Sequence, residues 1–354
     1  MTQTVAKAPS VTAARAVVAA AAAVALLAAC SVTVRSTVGP TSKPDSDSAP
    51  ALVRPTAGVI GGFPVGQREL TFVEPAHVGV TGARLGDRRL VTWTWYPLAA
   101  PPSAGSSPRA AAGPFAMIVF GPGFMQCGGP YSPLLRSVAS AGFVVVVVNF
   151  PRSDCQVGAA ATEADMVNQP GDMSYVITRM LAVSAASRGV FAGLIDPSEV
   201  AVAGQSDGGD TVAAIAANTC CGDRRVRAVA VYSGAEWPPM PGRYFTRRPV
   251  PMLLVQGTAD TVNPPGCSVT MYHADRARDR YYLDLFGATH TNPYWGINGF
   301  ERVVARVSVA FFDRFLLGHA AAGPLLRRAG DVPRVAALLA HGAGALPPGP
   351  PCNT

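Results

Sequence analysis

Apolar runs of strand length alternate along the chain with helical patterns. Seven runs predict strands, at residues 91–96, 116–120, 143–149, 200–203, 226–232, 252–256 and 281–286. Runs that are apolar at nearly every position suit parallel strands covered by helices on both faces. In the last helical pattern Val303, Val307 and Phe311 recur at one-turn spacing and share a face. The alternation predicts an α/β fold with a mostly parallel, doubly wound sheet.

An earlier apolar run, 16–29, has only 14 residues, fewer than the roughly 20 that a membrane-spanning helix needs. It follows a weakly basic stretch, which predicts an export signal peptide over residues 1–29. The run ends in Leu-Ala-Ala-Cys and resembles the bacterial lipobox. That resemblance implies acylation of Cys30 and attachment to a lipid membrane. An ordinary cleaved signal peptide and an uncleaved anchor remain as alternatives.

Three further segments follow the leader. Residues 30–55 are rich in Ser, Thr, Pro and Asp without periodicity, which predicts a flexible tether. Residues 56–318 hold the strand and helix patterns and are predicted to form the main folded domain. Residues 319–354 form an Ala-, Gly- and Pro-rich tail. Within this tail the pattern allows a short helix over 332–339, and Cys352 could fasten the end by a disulfide.

Composition narrows the class of protein. Hydrophobic residues make up 49% of the chain and charged residues 14%, which supplies a core and excludes a disordered chain. The formal charge is +7, but the arginines are scattered without a basic run or interleaved aromatic residues. We therefore expect no nucleic-acid partner. We expect a monomer.

Six cysteines remain once Cys30 is set aside: Cys127, Cys155, Cys220, Cys221, Cys267 and Cys352. An even number in an exported protein predicts disulfides. No Cys-x-x-Cys or Cys/His spacing suggests a metal site. We expect Cys127 to pair with Cys155, because each follows a predicted core strand. We expect the adjacent Cys220 and Cys221 to have separate partners.

A candidate nucleophile lies in segment 204–209, which reads Gly-Gln-Ser-Asp-Gly-Gly between a buried strand and an Ala-rich helical pattern. A serine at such a sharp strand-to-helix turn projects its hydroxyl above the sheet, and the flanking glycines relieve crowding. The start of the helix brings amide dipoles beside the reacting atom. The context predicts Ser206 as a nucleophile, with a tight structural turn as the alternative.

A serine nucleophile needs a general base, and histidine suits neutral pH. His290 follows the strand 281–286, where a loop could return its ring to Ser206. Asp260 follows the strand 252–256 and is expected to orient the imidazole and stabilise its cation. Glu236 is the reserve acid.

The oxyanion of an acyl-transfer intermediate needs two amide donors. The residue after the nucleophile, Asp207, offers the first amide. The second is expected from Phe124, after the strand 116–120, because Pro122 has no amide hydrogen. A carboxylate at Asp207 is unfavourable beside an oxyanion unless it points away or pairs with an arginine.

From about residue 70 to residue 318 the chain resembles the α/β-hydrolase superfamily, in particular its dienelactone-hydrolase-like and cutinase-like polyester hydrolase branch. The landmarks are Ile195-Asp196-Pro197, residues 204–209, residues 257–260 followed by Pro264, and residues 287–290. The resemblance implies a triad in the order Ser206, Asp260, His290. It also implies that Phe124 lines the acyl site and that Trp237 contacts substrate, with structural packing as the alternative for Trp237. Pro122 and Asp207 depart from the family pattern.

Only 18 residues separate Tyr232 from Pro251, too few for a large helical cap, so we expect an open site that suits bulky or polymeric esters. The expected function is an exported serine carboxylester hydrolase that acts through an acyl-enzyme on lipid, polymeric or small esters, without metal or organic cofactor. Two alternative functions remain open. One is an acyltransferase or peptidase with the same triad, and the other is a surface-displayed binding lipoprotein with a hydrolase scaffold.

Overall fold

A computed structural model describes residues 58–102, 108–341, 346, 351 and 352. The expected signal peptide, the lipidation site Cys30 and the tether all lie outside the described residues. In the part of the chain that is described, no helix has both the length and the apolar character to cross a membrane.

The core of the fold is a large β-sheet. The strands of the described residues are β1 (Val65–Glu74), β2 (His77–Val78), β3 (Arg84–Leu85), β4 (Arg88–Pro97), β5 (Phe115–Gly121), β6 (Val144–Asn149), β7 (Ile195–Gln205), β8 (Val226–Tyr232), β9 (Met252–Gly257), β10 (Arg280–Leu285) and β11 (Ala336–Ala340). Nine of them form one sheet in the order β1-β4-β6-β5-β7-β8-β9-β10-β11, and β2 pairs with β3 in a separate two-stranded sheet.

The six central strands, from β6 to β10 in the sheet order, are parallel, and the strands outside them are antiparallel. Each of the seven apolar runs coincides with one of the strands β4 to β10, although Phe143 and Phe286 lie one residue outside β6 and β10. The prediction of a mostly parallel sheet is therefore confirmed. The antiparallel edge strand β1 is absent from the sequence prediction, because its alternate residues are exposed and its apolar signal is weak.

In the described part of the chain, six α-helices cover the sheet: α1 (Ser132–Ser140), α2 (Gln169–Ala185), α3 (Asp207–Ala217), α4 (Pro265–Ala274), α5 (Gly299–Phe315) and α6 (Ala322–Gly330). The helices pack on the two faces of the sheet, where their side chains belong to two separate buried hydrophobic clusters. One cluster contains side chains of α2, α3 and α4, and the other those of α1, α5 and α6. Two short 3₁₀ helices, Gly158–Ala160 and Glu163–Asn168, precede α2. This arrangement confirms the doubly wound fold. The described connection 233–251 holds no helix or strand, so there is no large cap.

The segment set apart as a tail contributes to the sheet. Helix α6 packs on α5, and β11 pairs antiparallel with β10. The short helix considered over 332–339 is wrong, because Ala336–Ala340 forms a strand. Local helix propensity is weak compared with the hydrogen bonds that the outer edge of β10 offers to a neighbouring strand.

Three disulfides join the six described cysteines. Cys127 bonds to Cys155, as expected, and Cys267 bonds to Cys352. The expectation of separate partners for Cys220 and Cys221 is wrong, because they bond to each other. The other four described cysteines are paired among themselves, which leaves these two neighbours only one another.

A buried ion cluster fastens the start of α2 to the sheet. Arg88 of β4 donates from Nε and Nη2 to the carboxylate of Asp172, at 2.6 and 2.7 Å. It also donates from Nη1 and Nη2 to Asp165, at 3.1 and 2.7 Å. Asp165 belongs to the 3₁₀ helix Glu163–Asn168. The cluster therefore holds in place a turn that forms one wall of the cavity described next.

Candidate active site

Ser206 occupies a sharp turn between β7 and α3. Its backbone has φ +55° and ψ −126°, a region that side-chain-bearing residues rarely adopt. The turn is compact, since a Cβ on Gly208 would lie 1.9 Å from the Gly121 oxygen and one on Gly204 would lie 2.1 Å from the Gly208 oxygen. Only glycine fits at either position. Helix α3 can thus start directly above the carboxyl end of β5.

The structure brings Ser206, His290 and Asp260 together from three connections at the carboxyl end of the sheet. The Oγ of Ser206 lies 2.9 Å from Nε2 of His290. The other ring nitrogen, Nδ1, lies 2.9 Å from Oδ2 of Asp260. Such a chain allows a proton to pass from hydroxyl to imidazole while the carboxylate holds the ring.

Asp260 is buried at 3% exposure and receives several hydrogen bonds. Its Oδ1 accepts from the backbone amides of Val262 and Asn263, at 2.9 and 3.0 Å. Its Oδ2 accepts from Nε2 of Gln256 at 3.2 Å. These contacts hold the carboxyl group so that Oδ2 faces Nδ1 of His290. Nε2 of His290 is left as the acceptor that the Ser206 hydroxyl needs.

Glu236, the reserve acid, lies elsewhere. It lines a neighbouring cavity together with Met240 and Cys267. Burial raises the pKa of its carboxyl above the ordinary value. Nδ1 of His290 already faces the carboxylate of Asp260, so Glu236 is not the acid that orients the imidazole.

A buried hydrogen-bond network connects the loop after β5 to the histidine loop, and the sequence analysis did not find it. The amide of Gly123 donates to the hydroxyl of Tyr131 at 3.1 Å, and that hydroxyl donates to Oε1 of Gln205 at 2.7 Å. Nε2 of Gln205 donates to the carbonyl of His290 at 3.1 Å and lies 3.2 Å from its ring Nε2. The Gly123 amide is therefore occupied within the protein.

The triad opens onto a cavity of about 670 Å³ with aromatic and apolar walls. The residues expected to serve substrate, Phe124 and Trp237, both line it, as does Asp207. Trp295, five residues after the candidate base, and Met166 from the 3₁₀ helix also line it. Neither was found from the sequence, since neither belongs to a local motif.

The cavity also has an acidic side, formed by Glu163, Asp207 and Asp210. Asp207 is only 8% exposed, and its Oδ2 has no hydrogen-bond partner among the described residues. Burial, with the nearby charge of Glu163, raises the pKa of Asp207 to about 7. Asp210 accepts from the amide of Ala235, and burial raises its pKa well above the usual range. Among the described residues that line the cavity there is no arginine or lysine to pair with Asp207.

Residues 105–321 match a family model described as PETase: PET hydrolase-like. This span covers more than half of the chain and contains Ser206, Asp260 and His290. No curated protein matches the chain. Within the described residues, no group of three or more His, Cys, Asp or Glu side chains is arranged to hold a metal ion.

Proposed function

The chain belongs to the PET hydrolase-like family of α/β-hydrolases, and on that premise we propose that it is a serine carboxylester hydrolase acting through an acyl-enzyme. The observation that carries the proposal is the pair of 2.9 Å contacts that join Ser206 to His290 and His290 to Asp260. The open cavity beside Ser206 can admit the ester.

In the proposed reaction, Oγ of Ser206 attacks the ester carbonyl while Nε2 of His290 takes the hydroxyl proton. Asp260 stabilises the resulting imidazolium. The amides of Phe124 and Asp207 hold the oxyanion, and each such donor typically lowers the barrier by about 3 kcal/mol. His290 then returns the proton to the leaving alcohol. Water, deprotonated by His290, releases the acid and restores Ser206.

A fluorophosphonate probe tests the nucleophile. The wild type should be labelled, and Ser206→Ala should not be. Ser198→Ala is the matched control, because Ser198 is an exposed serine of β7 whose hydroxyl donates to the nearby Asp196. It should be labelled like the wild type. Equal labelling of Ser206→Ala and wild type would remove Ser206 from its proposed role.

Hydrolysis of a short-chain nitrophenyl ester tests the base. The rate should rise from acidic to neutral pH, because a general base must be unprotonated to accept the hydroxyl proton. Asp260→Asn should retain the fold but lose about 10⁴-fold in kcat, because an amide no longer selects the correct imidazole tautomer. A pH-independent rate, or full activity in Asp260→Asn, would contradict the mechanism.

We also propose export and lipid attachment, based on the leader 1–29 and Cys30. Three disulfides among the described residues suit an oxidising compartment. In cells fed a labelled fatty acid, the wild type should carry the label and Cys30→Ser should not. Labelling of both would place any acyl group elsewhere.

A further inference from the structure

A second cavity lies at the end of the sheet opposite the triad. Its volume is about 610 Å³, which is in the range typical of sites for small ligands. Val226, the first residue of β8, and Pro251, just before β9, belong to its lining. The triad follows the carboxyl ends of the strands, so the length of β8, seven residues or about 20 Å, lies between the two cavities. A ligand in the second cavity would leave the triad accessible.

Four arginines line this cavity, and no described carboxylate forms an ion pair with any of them. They are Arg224, Arg227, Arg247 and Arg248, and all but Arg247 are exposed. Among the described lining residues the single carboxyl is that of Asp223, which is already paired with Arg225 outside the lining. Its Oδ2 also accepts from the hydroxyl of Ser174 at 3.0 Å. Like charges around one cavity repel each other, and a bound anion would relieve that repulsion.

Arg247 is held in place within the lining. Its Nη1 donates to the carbonyl of Asn218 at 3.3 Å, and a Cβ on Gly222 would overlap that nitrogen. The guanidinium group therefore lies directly over the backbone of Gly222, where only glycine leaves it room. By contrast, the side chains of Arg224 and Arg248 make no hydrogen bond with the described part of the chain. Their donors are available to a ligand.

The remainder of the lining is largely apolar. Val250, Pro251 and Phe315 are half-buried, and Ala216 and Val226 are buried. Hydrocarbon that covers such side chains removes apolar surface from water. Guanidinium groups bind the paired oxygens of a carboxylate or a phosphate through two parallel hydrogen bonds. The lining therefore suits a ligand with an oxyanion at one end and hydrocarbon at the other.

We propose that this arginine cavity binds small amphiphilic oxyanions, in which a carboxylate or phosphate group is attached to an apolar chain. The four arginines hold the oxyanion, and Val250, Pro251 and Phe315 contact the apolar chain. The site is independent of the proposed function, since none of its residues belongs to the triad or lines the cavity beside Ser206. Acids released by ester hydrolysis belong to the same chemical class as its ligand.

Titration calorimetry on the full chain tests the cavity, with octyl phosphate and octanoate as probes. The double variant Arg224→Gln, Arg248→Gln should bind both probes at least about tenfold more weakly than the wild type, because two of the four guanidinium groups are lost. Arg243→Gln is the matched control, since Arg243 is exposed in the same connection but lines a different cavity. It should bind both probes like the wild type. Equal binding by the double variant and the wild type overturns the proposal.

Three further probes separate the parts of the ligand and its source. Inorganic phosphate should bind at least about tenfold more weakly than octyl phosphate, because it has no hydrocarbon to bury. The neutral 1-octanol should bind the wild type and the double variant equally. Phosphate that binds as tightly as octyl phosphate would refute the role of the apolar lining. If phosphatidylglycerol vesicles bind through these arginines and octyl phosphate does not, the surface recognises a membrane and the proposal is wrong.

A footprint on the wild type does not depend on the folding of a variant. Phenylglyoxal modifies accessible arginine side chains, and peptide mass spectrometry quantifies each site. At a concentration of octyl phosphate about three times its Kd, modification of Arg224 and Arg248 should slow about fourfold. Modification of Arg243 should be unchanged. Equal protection of all three arginines, or protection of none, contradicts the proposal. Ester hydrolysis by the double variant should match the wild type, so failure of this site leaves the proposed function untouched.

Discussion

Removing one hydroxyl group, in Tyr131→Phe, tests the network behind the triad. The side chain is fully buried, and its hydroxyl both accepts from Gly123 and donates to Gln205. Burial raises the pKa of Tyr131 to about 12, so the hydroxyl remains protonated and able to donate at neutral pH. Phenylalanine fills nearly the same space but leaves an amide and a side-chain oxygen unpaired.

The size of the effect follows from those two groups. Each buried polar group left without a partner costs about 1–3 kcal/mol, so the free energy of unfolding should fall by about 2–6 kcal/mol. The activity should fall as well, because Gly123 precedes the proposed oxyanion donor and Gln205 holds the His290 loop. A shift of about 1 Å in such groups can cost roughly 100-fold in rate.

Urea unfolding and kcat/KM with a nitrophenyl ester measure both effects. Tyr175→Phe is the matched control, because the Tyr175 hydroxyl makes one exposed hydrogen bond, of 2.7 Å, to the carbonyl of Val73. It should cost about 1 kcal/mol or less and leave kcat/KM unchanged. If Tyr131→Phe loses no more stability than this control and keeps its kcat/KM, the network does not position the site.

Three further changes probe the sharp turn at Ser206, the ion cluster around Arg88 and the acidic side of the cavity at Asp207. Gly208→Ala should lower kcat/KM at least about 100-fold, because the added Cβ would lie 1.9 Å from a backbone oxygen of β5. Gly171→Ala is the control and should leave kcat/KM unchanged, because nothing lies within 4 Å of a Cβ at that position. Equal activities of the two variants would refute the steric argument. Arg88→Met leaves two carboxylates buried without their cation and should lower the free energy of unfolding by about 3–5 kcal/mol. The exposed neighbour Arg89→Met should cost under about 1 kcal/mol in the same urea titration, and similar losses would show that burial of the pair is not decisive. Burial raises the pKa of Asp207 to about 7 from 3.8, so the folded protein retains a proton that the unfolded chain has released, and the carboxyl lowers stability progressively from about pH 4 to pH 7. The stability gained in Asp207→Asn should therefore be larger at pH 8 than at pH 4.5, by up to about 3 kcal/mol, and a pH-independent gain would contradict the raised pKa.

Prediction from the sequence succeeded where the signal is local. The central strands are apolar at almost every position, because helices cover both faces of the sheet. Each strand can therefore be identified from its own apolar run. The turn at Ser206 was predicted from residues 204–209, because its glycines and serine are neighbours in sequence. Its tight fit between Gly208 and Gly121 is a contact across 87 positions and required the structure.

Other features depend on contacts that no local pattern reports. The pairing of Cys220 with Cys221 follows from how the remaining described cysteines pair across the fold. The last strand, β11, forms because β10 presents an open edge. Whether a segment joins the edge of a sheet depends on the neighbouring strand in the fold. The Ala- and Leu-rich composition of residues 336–340 does not reveal that neighbour, which is β10.

The amino-acid sequence by itself determined the α/β class, the order of the strands along the chain and the three residues proposed as the triad, because each depends on periodicity or on short motifs at strand ends. Tertiary structure alone decided the environment of those residues. The Tyr131 network and the acidic wall join segments separated by dozens of residues, and burial then changes the pKa of Asp207. Distance along the chain does not encode such proximity, so the surroundings of the candidate site could be seen only in the folded protein.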